Sequence, residues 1–172
     1  MLEKNIKALI KEYPNFPEQG VLFRDLMPIL ANPKIYKSLI IKMAESEICQ
    51  NAENIIAIDA RGFLFGTAIG LLLKKSIILA RKPGKLPGEL IEESYQLEYG
   101  SNSLSIQKEA LLDKNNFVIV DDLLATGGTV NCISRLLNKE NKNIVGLSVV
   151  VELLDLKGRD NLNIPVESIV KY

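Results

Sequence analysis

The sequence has 172 residues, of which 47% are hydrophobic and 24% are charged, a composition typical of one compact domain with a sizeable core. Its 21 basic and 21 acidic residues cancel, which argues against the strongly positive surface of a protein that binds nucleic acid or a membrane. We therefore expect a single soluble domain over residues 1–172, with neither nucleic acid nor membrane as a partner.

The cysteine and histidine content limits which metal sites and proton-transfer groups the protein can have. Cys49 and Cys132 are far apart and the sequence has no histidine, so the residues of a zinc site are lacking. Two lone thiols favour a reducing compartment, and the polar segment Met1–Tyr13 is unlike a signal peptide. We expect a cytoplasmic protein in which any proton transfer falls to Asp, Glu, Lys, Tyr, substrate or water.

The N-terminal segment begins with apolar residues at helical spacing from Leu2 to Tyr13, which predicts a short amphipathic helix that ends before Pro14. The stretch from Asn15 to Arg24 contains proline and glycine and predicts irregular structure. A second helix is expected to start at Asn32-Pro33. Its buried face is predicted to contain Ile35, Tyr36, Leu39, Ile40 and Met43.

The rest of the chain alternates between short apolar strands and helices. The predicted strands are Ile55–Ile58, Ile77–Ala80, Phe117–Val120 and Ile144–Val151, and the predicted helices are Phe63–Lys74 and a second one that ends near Asn138. Continuous apolar strands separated by helices indicate an α/β fold with a largely parallel sheet covered on both faces. Residues Arg81–Gln107 interrupt this pattern and predict a long functional or mobile connection.

The most informative motif follows the strand Phe117–Val120. Asp121 and Asp122 come first, and then a turn of small residues that opens a helix. The residues of this turn are Ala125, Thr126, Gly127, Gly128 and Thr129. Glycine amides and a helix N-terminus bind phosphate, whereas two carboxylates accept hydrogen bonds from a sugar diol. The alternative is a tight structural turn, but two adjacent charges at the end of a buried strand have no structural purpose.

Basic residues follow two other predicted strands. Arg61 lies in the run Asp-Ala-Arg-Gly, and Arg81, Lys82 and Lys85 lie in the run Arg-Lys-Pro-Gly-Lys. The arginine fork suits the oxygens of a pyrophosphate. A solvated basic loop would explain either segment alone, but their shared position after neighbouring strands favours one common anion.

Together these motifs resemble the type I phosphoribosyltransferases, whose signature combines the acidic pair with the small-residue turn. The resemblance extends from about Phe16 to Gly158 and is most specific for the adenine branch of the family. The motifs that carry it are the segment Phe16–Asp25, the run DARGFLFG, the run RKPGKLPG and Leu97-Glu98-Tyr99-Gly100.

The resemblance implies a type I fold with a small N-terminal hood for the base and a flexible lid over about Lys82–Gln107. It implies transfer of the phosphoribosyl group of phosphoribosyl pyrophosphate (PRPP) to adenine, with AMP and pyrophosphate as products. In the family, the acidic pair holds the ribose hydroxyls and the turn from Ala125 to Thr129 binds the 5-phosphate. Arg61, Arg81 and Lys85 would contact pyrophosphate.

The resemblance also implies roles that the residues alone do not establish. Glu98 would transfer a proton and Tyr99 would lie over the reacting centre, although a solvated loop carboxylate is an equally simple interpretation of Glu98. The residues expected to hold adenine are Leu22, Phe23, Arg24 and Leu153, although Phe23 and Leu153 also suit a core. The family further implies a cis peptide between Asp59 and Ala60, a homodimer, and Mg²⁺ bound mainly through PRPP and water without dedicated protein ligands.

Two other functions remain open. A phosphoribosyltransferase for another base, such as hypoxanthine or xanthine, would keep the same PRPP motifs, but Phe16–Asp25 and RKPGKLPG argue against it. A regulator that senses PRPP without chemistry would share the fold, but it has no need of Glu98 and Tyr99.

Overall fold

The computed structural model describes residues 1–97 and 100–172. The chain divides into two compact units, Met1–Lys42 and Met43–Tyr172, and the expectation of a single domain over residues 1–172 stays a prediction. In the part of the chain that the structure describes, no helix is long and apolar enough to cross a membrane.

The first unit combines short helices with a two-stranded antiparallel sheet. Its elements are α1 (Leu2–Leu9), β1 (Lys11–Pro14), β2 (Leu22–Asp25), α2 (Met27–Leu30) and the start of α3 (Pro33–Ala44). Ile6, Leu26 and Ile29 are fully buried. The predicted start of α3 is confirmed, because the Asn32 side chain accepts a hydrogen bond from the Ile35 amide at 3.2 Å.

The predictions before Asp25 are partly wrong. The first helix ends at Leu9 rather than near Tyr13, because Pro14 disfavours helical backbone at the residue before it and that segment becomes β1. The segment Asn15–Arg24 is not irregular throughout, since its last residues pair with β1 from Pro14↔Leu22 to Lys11↔Asp25. Long-range pairing of this kind leaves no signal in local periodicity.

The second unit is built on a five-stranded sheet. Its strands are β3 (Asn54–Ile58), β4 (Ser76–Ala80), β7 (Asn116–Leu124), β8 (Asn143–Glu152) and β9 (Val166–Lys171). The strand order is β4-β3-β7-β8-β9 and every pairing is parallel. The other elements are α4 (Glu47–Asn51), α5 (Gly62–Leu73), the hairpin β5 (Leu90–Leu97) and β6 (Gly100–Gln107), α6 (Gly128–Lys139), and short 3-10 helices at Lys108–Leu111, Leu154–Leu156 and Gly158–Asn161.

Helices cover both faces of this sheet, as the sequence predicts. Alternate residues of a strand point to opposite faces, and α5 packs on the face of Ile55 and Ala57, where Gly66 lies against the Ala57 side chain. The opposite face carries Ile56 and Ile58, which share an apolar core with α6 and the hairpin. The α/β fold with a parallel sheet is confirmed, and it brings the carboxyl ends of β3, β4 and β7 to one edge.

Three further differences concern the second unit. Residues predicted as an irregular connection form the hairpin β5–β6, which pairs over eight positions from Leu90↔Gln107. The strand β7 continues to Leu124 because β8 pairs with it beyond the acidic residues, so Asp121 and Asp122 lie within the strand. The segment after Asn163, for which the sequence predicts no role, supplies the edge strand β9.

Candidate active site

The acidic pair lies near the carboxyl end of β7. Asp122 is buried, with 4% of its surface exposed, and Asp121 is half-buried. The Asp122 amide donates to Asp121 Oδ1 at 2.8 Å, which fixes the orientation of that carboxylate. Asp122 Oδ2 lies beside the Arg61 cation but receives no well-aligned hydrogen bond from the residues that the structure describes. A buried carboxylate oxygen without a well-aligned donor is suited to a ligand that brings hydroxyl groups.

Burial also changes the acidity of this pair. It raises the pKa of Asp121 well above its usual range, and the neighbouring Asp122 charge raises it further. Burial likewise raises the pKa of Asp122, although the Arg61 cation opposes this effect. Two neighbouring acidic residues whose pKa values are both raised are typical of a functional site.

Arg61 links the acidic pair to the neighbouring strand. It follows β3, which pairs with β7 in parallel register through Ala57↔Val120, so the two strand ends lie side by side. Arg61 Nε lies 2.9 Å from Asp122 Oδ2 and forms an ion pair. The preceding peptide, between Asp59 and Ala60, is cis, which confirms the prediction.

Gly62 allows α5 to begin close to β7. A Cβ atom at this position would lie 2.7 Å from the Val120 carbonyl oxygen and 3.0 Å from Asp121 Oδ1. Any side chain would therefore force the helix away from the strand. The close approach places Arg61, the residue at the helix start, beside the acidic pair.

Arg81 is held at the end of β4, on the other side of β3. Its Nε atom lies 3.0 Å from Asp59 Oδ2, and its guanidinium lies 5.7 Å from the centre of the Phe63 ring. Its Nη1 atom donates to the Lys85 carbonyl at 3.3 Å, whereas the Lys85 side chain is exposed. Arg81 is therefore oriented in advance, and Lys85 lies on the solvent side of the same loop.

The small-residue turn has a left-handed glycine directly before a helix. Gly127 has φ 85°, in the left-handed region that favours glycine, and α6 begins at Gly128. The first amides of this 12-residue helix have no partner within the helix, and they carry the positive end of its dipole. Thr126 is exposed and Thr129 is half-buried.

The 3-10 segment after β8 supports this turn, and the sequence analysis did not find it. A Cβ on Gly158 would lie 2.0 Å from the Ala125 carbonyl oxygen, so only glycine fits. Asn161 Nδ2 donates to the Thr126 carbonyl at 3.0 Å, and Asn131 Nδ2 donates to the Asn161 carbonyl at 2.9 Å. Backbone contacts of this kind fix the turn before any ligand binds.

An ion pair in turn holds this supporting segment. Arg159 donates to both carboxylate oxygens of the buried Glu152 at 2.7 Å, and the Ser168 hydroxyl donates at 2.6 Å. Hydrogen bonds from Arg159 lower the pKa of Glu152 to about 2. The charged pair therefore anchors the segment that contacts the small-residue turn.

The edge thus combines an acidic pair with one buried member, two oriented arginines and a glycine-containing turn at a helix N-terminus. The five-stranded sheet brings them together, and ligands of open parallel sheets bind at this edge. Such a set matches a phosphorylated sugar with an anionic leaving group. It resembles neither a P-loop nor a dinucleotide-binding turn in its residues.

Comparisons with known proteins agree with this geometry. A model of the phosphoribosyl transferase domain matches residues 28–166. The adenine phosphoribosyltransferase of Prochlorococcus marinus strain MIT 9215 is 57% identical over 172 residues, which cover 100% of both chains. The chain belongs to the phosphoribosyltransferase family, and within it to the adenine phosphoribosyltransferases.

Solved structures of this family show the same architecture. The adenine phosphoribosyltransferase of Thermoanaerobacter pseudethanolicus has a TM-score of 0.95 at 38% identity, with 100% of each chain covered. The enzyme of Saccharomyces cerevisiae, in complex with an imino-altritol bisphosphate and adenine, has a TM-score of 0.90 at 38% identity, with 98% of each chain covered. The type I phosphoribosyltransferase fold is confirmed.

The structure brings most of the expected PRPP-binding residues of the family together at one edge. Arg61 pairs with Asp122, Arg81 pairs with Asp59 after the neighbouring strand β3, and the turn follows directly from β7. The side chain of Lys85 makes no described contact with them. Glu98 and Tyr99, the expected catalytic residues, lie outside the described residues.

The expected adenine-binding residues of the family are divided between the two units. In the first unit, Leu22, Phe23 and Arg24 form most of β2, with Arg24 Nε 3.1 Å from Glu12 Oε1 and the Phe23 ring edge-on to Phe16 at 5.1 Å. In the second unit, Leu153 follows β8 and donates its amide to the Leu124 carbonyl at 3.0 Å. Phe23 and Leu153 are only half-buried, so neither is a fully buried core residue.

The side chains of the described residues limit how the protein could hold the Mg²⁺ ion expected of the family. Among the described residues, no group of three or more Asp, Glu, Cys or His side chains could hold a metal ion. The acidic pair nevertheless offers oxygen acceptors of the type that Mg²⁺ and its water ligands prefer, including Asp122 Oδ2. These residues fit a magnesium ion that arrives with its substrate.

Proposed function

We propose that this chain transfers the phosphoribosyl group of PRPP to adenine and releases AMP and pyrophosphate, a reaction of purine salvage. The observation that carries the proposal is the buried acidic pair directly before an anion-binding turn, in a chain 57% identical to an adenine phosphoribosyltransferase. The adenine in the related Saccharomyces cerevisiae complex supports the choice of base.

The ribose and its 5-phosphate would bind at the end of β7. Asp121 and Asp122 would accept hydrogen bonds from the 2- and 3-hydroxyls, and the amides of the turn from Ala125 to Thr129 would donate to the phosphate. A sugar diol supplies donors to the buried Asp122 carboxylate without adding charge. Asp122 Oδ2 already pairs with the Arg61 cation but receives no well-aligned hydrogen bond from the described residues, so a substrate hydroxyl would add a donor to it.

The pyrophosphate would bind between β3 and β4. Arg61 and Arg81 present guanidinium groups that are already oriented by Asp122 and Asp59, and Lys85 would add a cation from the loop. Mg²⁺, bound mainly through PRPP and water, would neutralise charge on the leaving pyrophosphate. Because negative charge grows on this group as the bond breaks, the arginines stabilise the transition state more than the ground state.

The lid and the proton transfer complete the proposal. Residues Lys82–Gln107, which include the hairpin β5–β6, would cover the reacting sugar and exclude water. Glu98 would take the proton that adenine loses when its N9 attacks the anomeric carbon, and Tyr99 would lie over that carbon. The absence of histidine from the sequence supports a carboxylate in this role.

The base would be held by the β2 backbone at Leu22, Phe23 and Arg24 and by the Leu153 side chain. Leu22 is 42% exposed, and Phe23 is anchored by Phe16, so β2 offers an apolar surface with an ordered backbone. An aromatic or aliphatic surface beside backbone donors and acceptors suits a flat purine.

The test is pyrophosphate release with PRPP and Mg²⁺, measured in parallel with adenine, hypoxanthine, guanine and xanthine. We expect release with adenine alone. Release with an oxopurine instead would replace the proposed base while keeping the PRPP site. PRPP binding without release for any base would favour a sensor, the alternative from a different functional class.

We further propose a homodimer in which α5 contributes to the interface. Leu71 and Leu72 near its end are 81% and 51% exposed. Exposure of two adjacent leucines to water is unfavourable and is unusual in a monomer. Light scattering after gel filtration should give twice the mass of one chain. Leu71→Lys should shift the protein towards the monomer and Leu112→Lys, a control at a leucine 60% exposed elsewhere, should not; a monomeric parent would overturn the proposal.

A cytoplasmic location is also proposed. It rests on two cysteines, Cys49 and Cys132, that are both buried and free. Cell fractionation should recover the protein with cytoplasmic markers, and recovery with a membrane or an exported fraction would contradict the proposal.

A further inference from the structure

The hairpin β5–β6 is docked on helix α6 by a charged cluster that the reaction chemistry does not require. Glu93 on β5 accepts hydrogen bonds from Arg135 Nε at 2.8 Å and from Lys139 Nζ at 2.5 Å. Arg135 Nη2 also donates to the Ser94 carbonyl at 2.9 Å. One carboxylate therefore joins two cations on successive turns of the helix.

The alternation of β5 explains why this cluster forms. Ile91, Glu93 and Tyr95 share the strand face that is turned towards α6 and are half-buried, whereas Glu92 and Ser94 are exposed. Ile91 and Tyr95 pack against the apolar core of the second unit. A carboxylate between two such residues needs cations, and α6 supplies them. Only 16% of the Glu93 side chain is exposed.

The same face brings Tyr95 to the phosphate-binding turn. The Thr129 hydroxyl donates to the Tyr95 hydroxyl oxygen at 3.4 Å, and the Tyr95 ring lies within 3.5 Å of a Cβ position at Gly128. A phenol hydroxyl this close to the turn is within reach of an anion bound there, to which it can donate its proton.

We propose that Glu93 is a positioning residue whose ion pairs with Arg135 and Lys139 dock the hairpin on α6, and that the docked hairpin places the Tyr95 hydroxyl on the 5-phosphate of PRPP. The inference rests on the proposed function for the identity of the phosphate ester. It assigns to β5 both an ionic latch, formed by Glu93, Arg135 and Lys139, and a phosphate-binding group.

The latch is tested by Glu93→Gln, with Glu92→Gln as the matched control on the exposed face of the same strand. Hydrogen exchange of the backbone amides in 90–95 should increase in Glu93→Gln without ligand and stay at the parent level in Glu92→Gln. PRPP should bind Glu93→Gln about fivefold more weakly at low salt, and the difference from the parent should shrink at high salt. Parent-like exchange and PRPP affinity in Glu93→Gln would overturn the latch.

A variant that exchanges the charges of Glu93 and Arg135 distinguishes an ionic latch from a general packing defect. Glu93→Arg combined with Arg135→Glu should recover part of the exchange protection that Glu93→Arg alone loses. A double variant no better protected than the single one would show that the charges do not dock the hairpin.

Tyr95→Phe tests the phosphate contact by itself. The variant should keep the parent exchange pattern while it binds PRPP and AMP about fivefold more weakly. Unchanged affinity for both ligands would remove Tyr95 from the phosphate site. Exchange and direct binding require no turnover, so the latch can be confirmed even if no base supports pyrophosphate release, an outcome that would reject the proposed function alone.

Discussion

Arg61 Nε lies 2.9 Å from Asp122 Oδ2, so a residue expected to bind pyrophosphate is paired with one expected to bind ribose. Without substrate, the two groups neutralise each other across the ends of β3 and β7. PRPP would offer hydroxyls to the carboxylate and phosphate oxygens to the guanidinium. Because Arg61 and Asp122 pair with each other until PRPP replaces that pair, neither charge is left buried without a partner.

Asp122→Asn should weaken PRPP binding by about 2 kcal/mol, roughly thirtyfold, because the diol loses a charged acceptor. Calorimetric titration with PRPP measures the effect. Asp113→Asn is the control, since Asp113 is exposed and its φ of 55° suits asparagine. Parent-like PRPP affinity in Asp122→Asn would remove Asp122 from the ribose site.

Asp121→Asn should raise the melting temperature at neutral pH. Burial and the Asp122 charge raise the pKa of Asp121, so the folded protein binds a proton more tightly than the unfolded chain does. The folded protein therefore loses stability as the pH rises from the pKa of Asp121 in the unfolded chain through its pKa in the folded protein. Asparagine carries no titrating group and avoids that loss. Thermal melts at pH 4 and pH 7 should show a gain that is larger at pH 7. An equal or lower melting temperature at pH 7 would contradict this account.

Two adjacent glycines should respond differently to alanine. Gly127→Ala places a side chain at φ 85° with its Cβ 2.9 Å from the Gly158 carbonyl oxygen, so it should lower stability by about 1–3 kcal/mol. In Gly128→Ala the new Cβ would lie 3.5 Å from the Tyr95 ring and 3.8 Å from Thr126 Oγ1, both ordinary contacts, so stability should stay unchanged while PRPP binding weakens. Denaturant unfolding and PRPP titration separate the two effects. Normal PRPP affinity in Gly128→Ala would show that phosphate does not approach this backbone closely.

Glu98→Gln should lower turnover more than it weakens AMP binding, because it removes a proton acceptor and keeps the shape of the side chain. Single-turnover kinetics with adenine and PRPP measure the first effect, and AMP titration measures the second. Glu92→Gln, at an exposed glutamate of β5, is a suitable control. Equal turnover in Glu98→Gln and the parent would exclude Glu98 from proton transfer.

The Glu152–Arg159 pair should make stability sensitive to acid. The folded pKa of Glu152 is lowered from 4.5 to about 2, so its contribution is present above the unfolded pKa and is lost as pH falls through the folded value. At neutral pH, Glu152→Gln should lower the free energy of unfolding by about 1–2 kcal/mol, because Arg159 loses its charged partner but keeps the Val166 carbonyl and some contact with water.

Urea unfolding of Glu152→Gln and the parent at several pH values measures this contribution. The two proteins should converge between pH 4.5 and about 2, whereas Glu109→Gln, at an exposed glutamate, should follow the parent throughout. A difference that is the same at every pH would mean that packing, and not the ion pair, carries the effect.

The sequence by itself determines the parallel sheet and the chemical nature of its edge. Runs such as Ile55–Ile58 and Phe117–Val120 are apolar and β-branched, so they suit strands buried on both faces. Asp121 and Asp122 are adjacent charges that a buried strand end does not need for its structure, which makes them recognisable as candidate functional residues without coordinates.

Only the tertiary structure determines the partners of these residues. The hairpin β5–β6 carries many polar residues, and pairing with its own second strand and docking on α6 give it a structure that local periodicity does not show. The same holds for β2, which pairs with β1 across a loop, and for β9, which extends the sheet.

The supports of the phosphate-binding turn are likewise invisible in the sequence. Asn161 is 35 residues from Thr126, and Tyr95 is 34 residues from Thr129. Each is an ordinary polar or aromatic residue in its own segment, and its role arises from a hydrogen bond between distant parts of the chain. Local patterns encode which residues are unusual for their position, whereas long-range contacts decide which groups hold them in place, because those contacts exist only after the chain has folded.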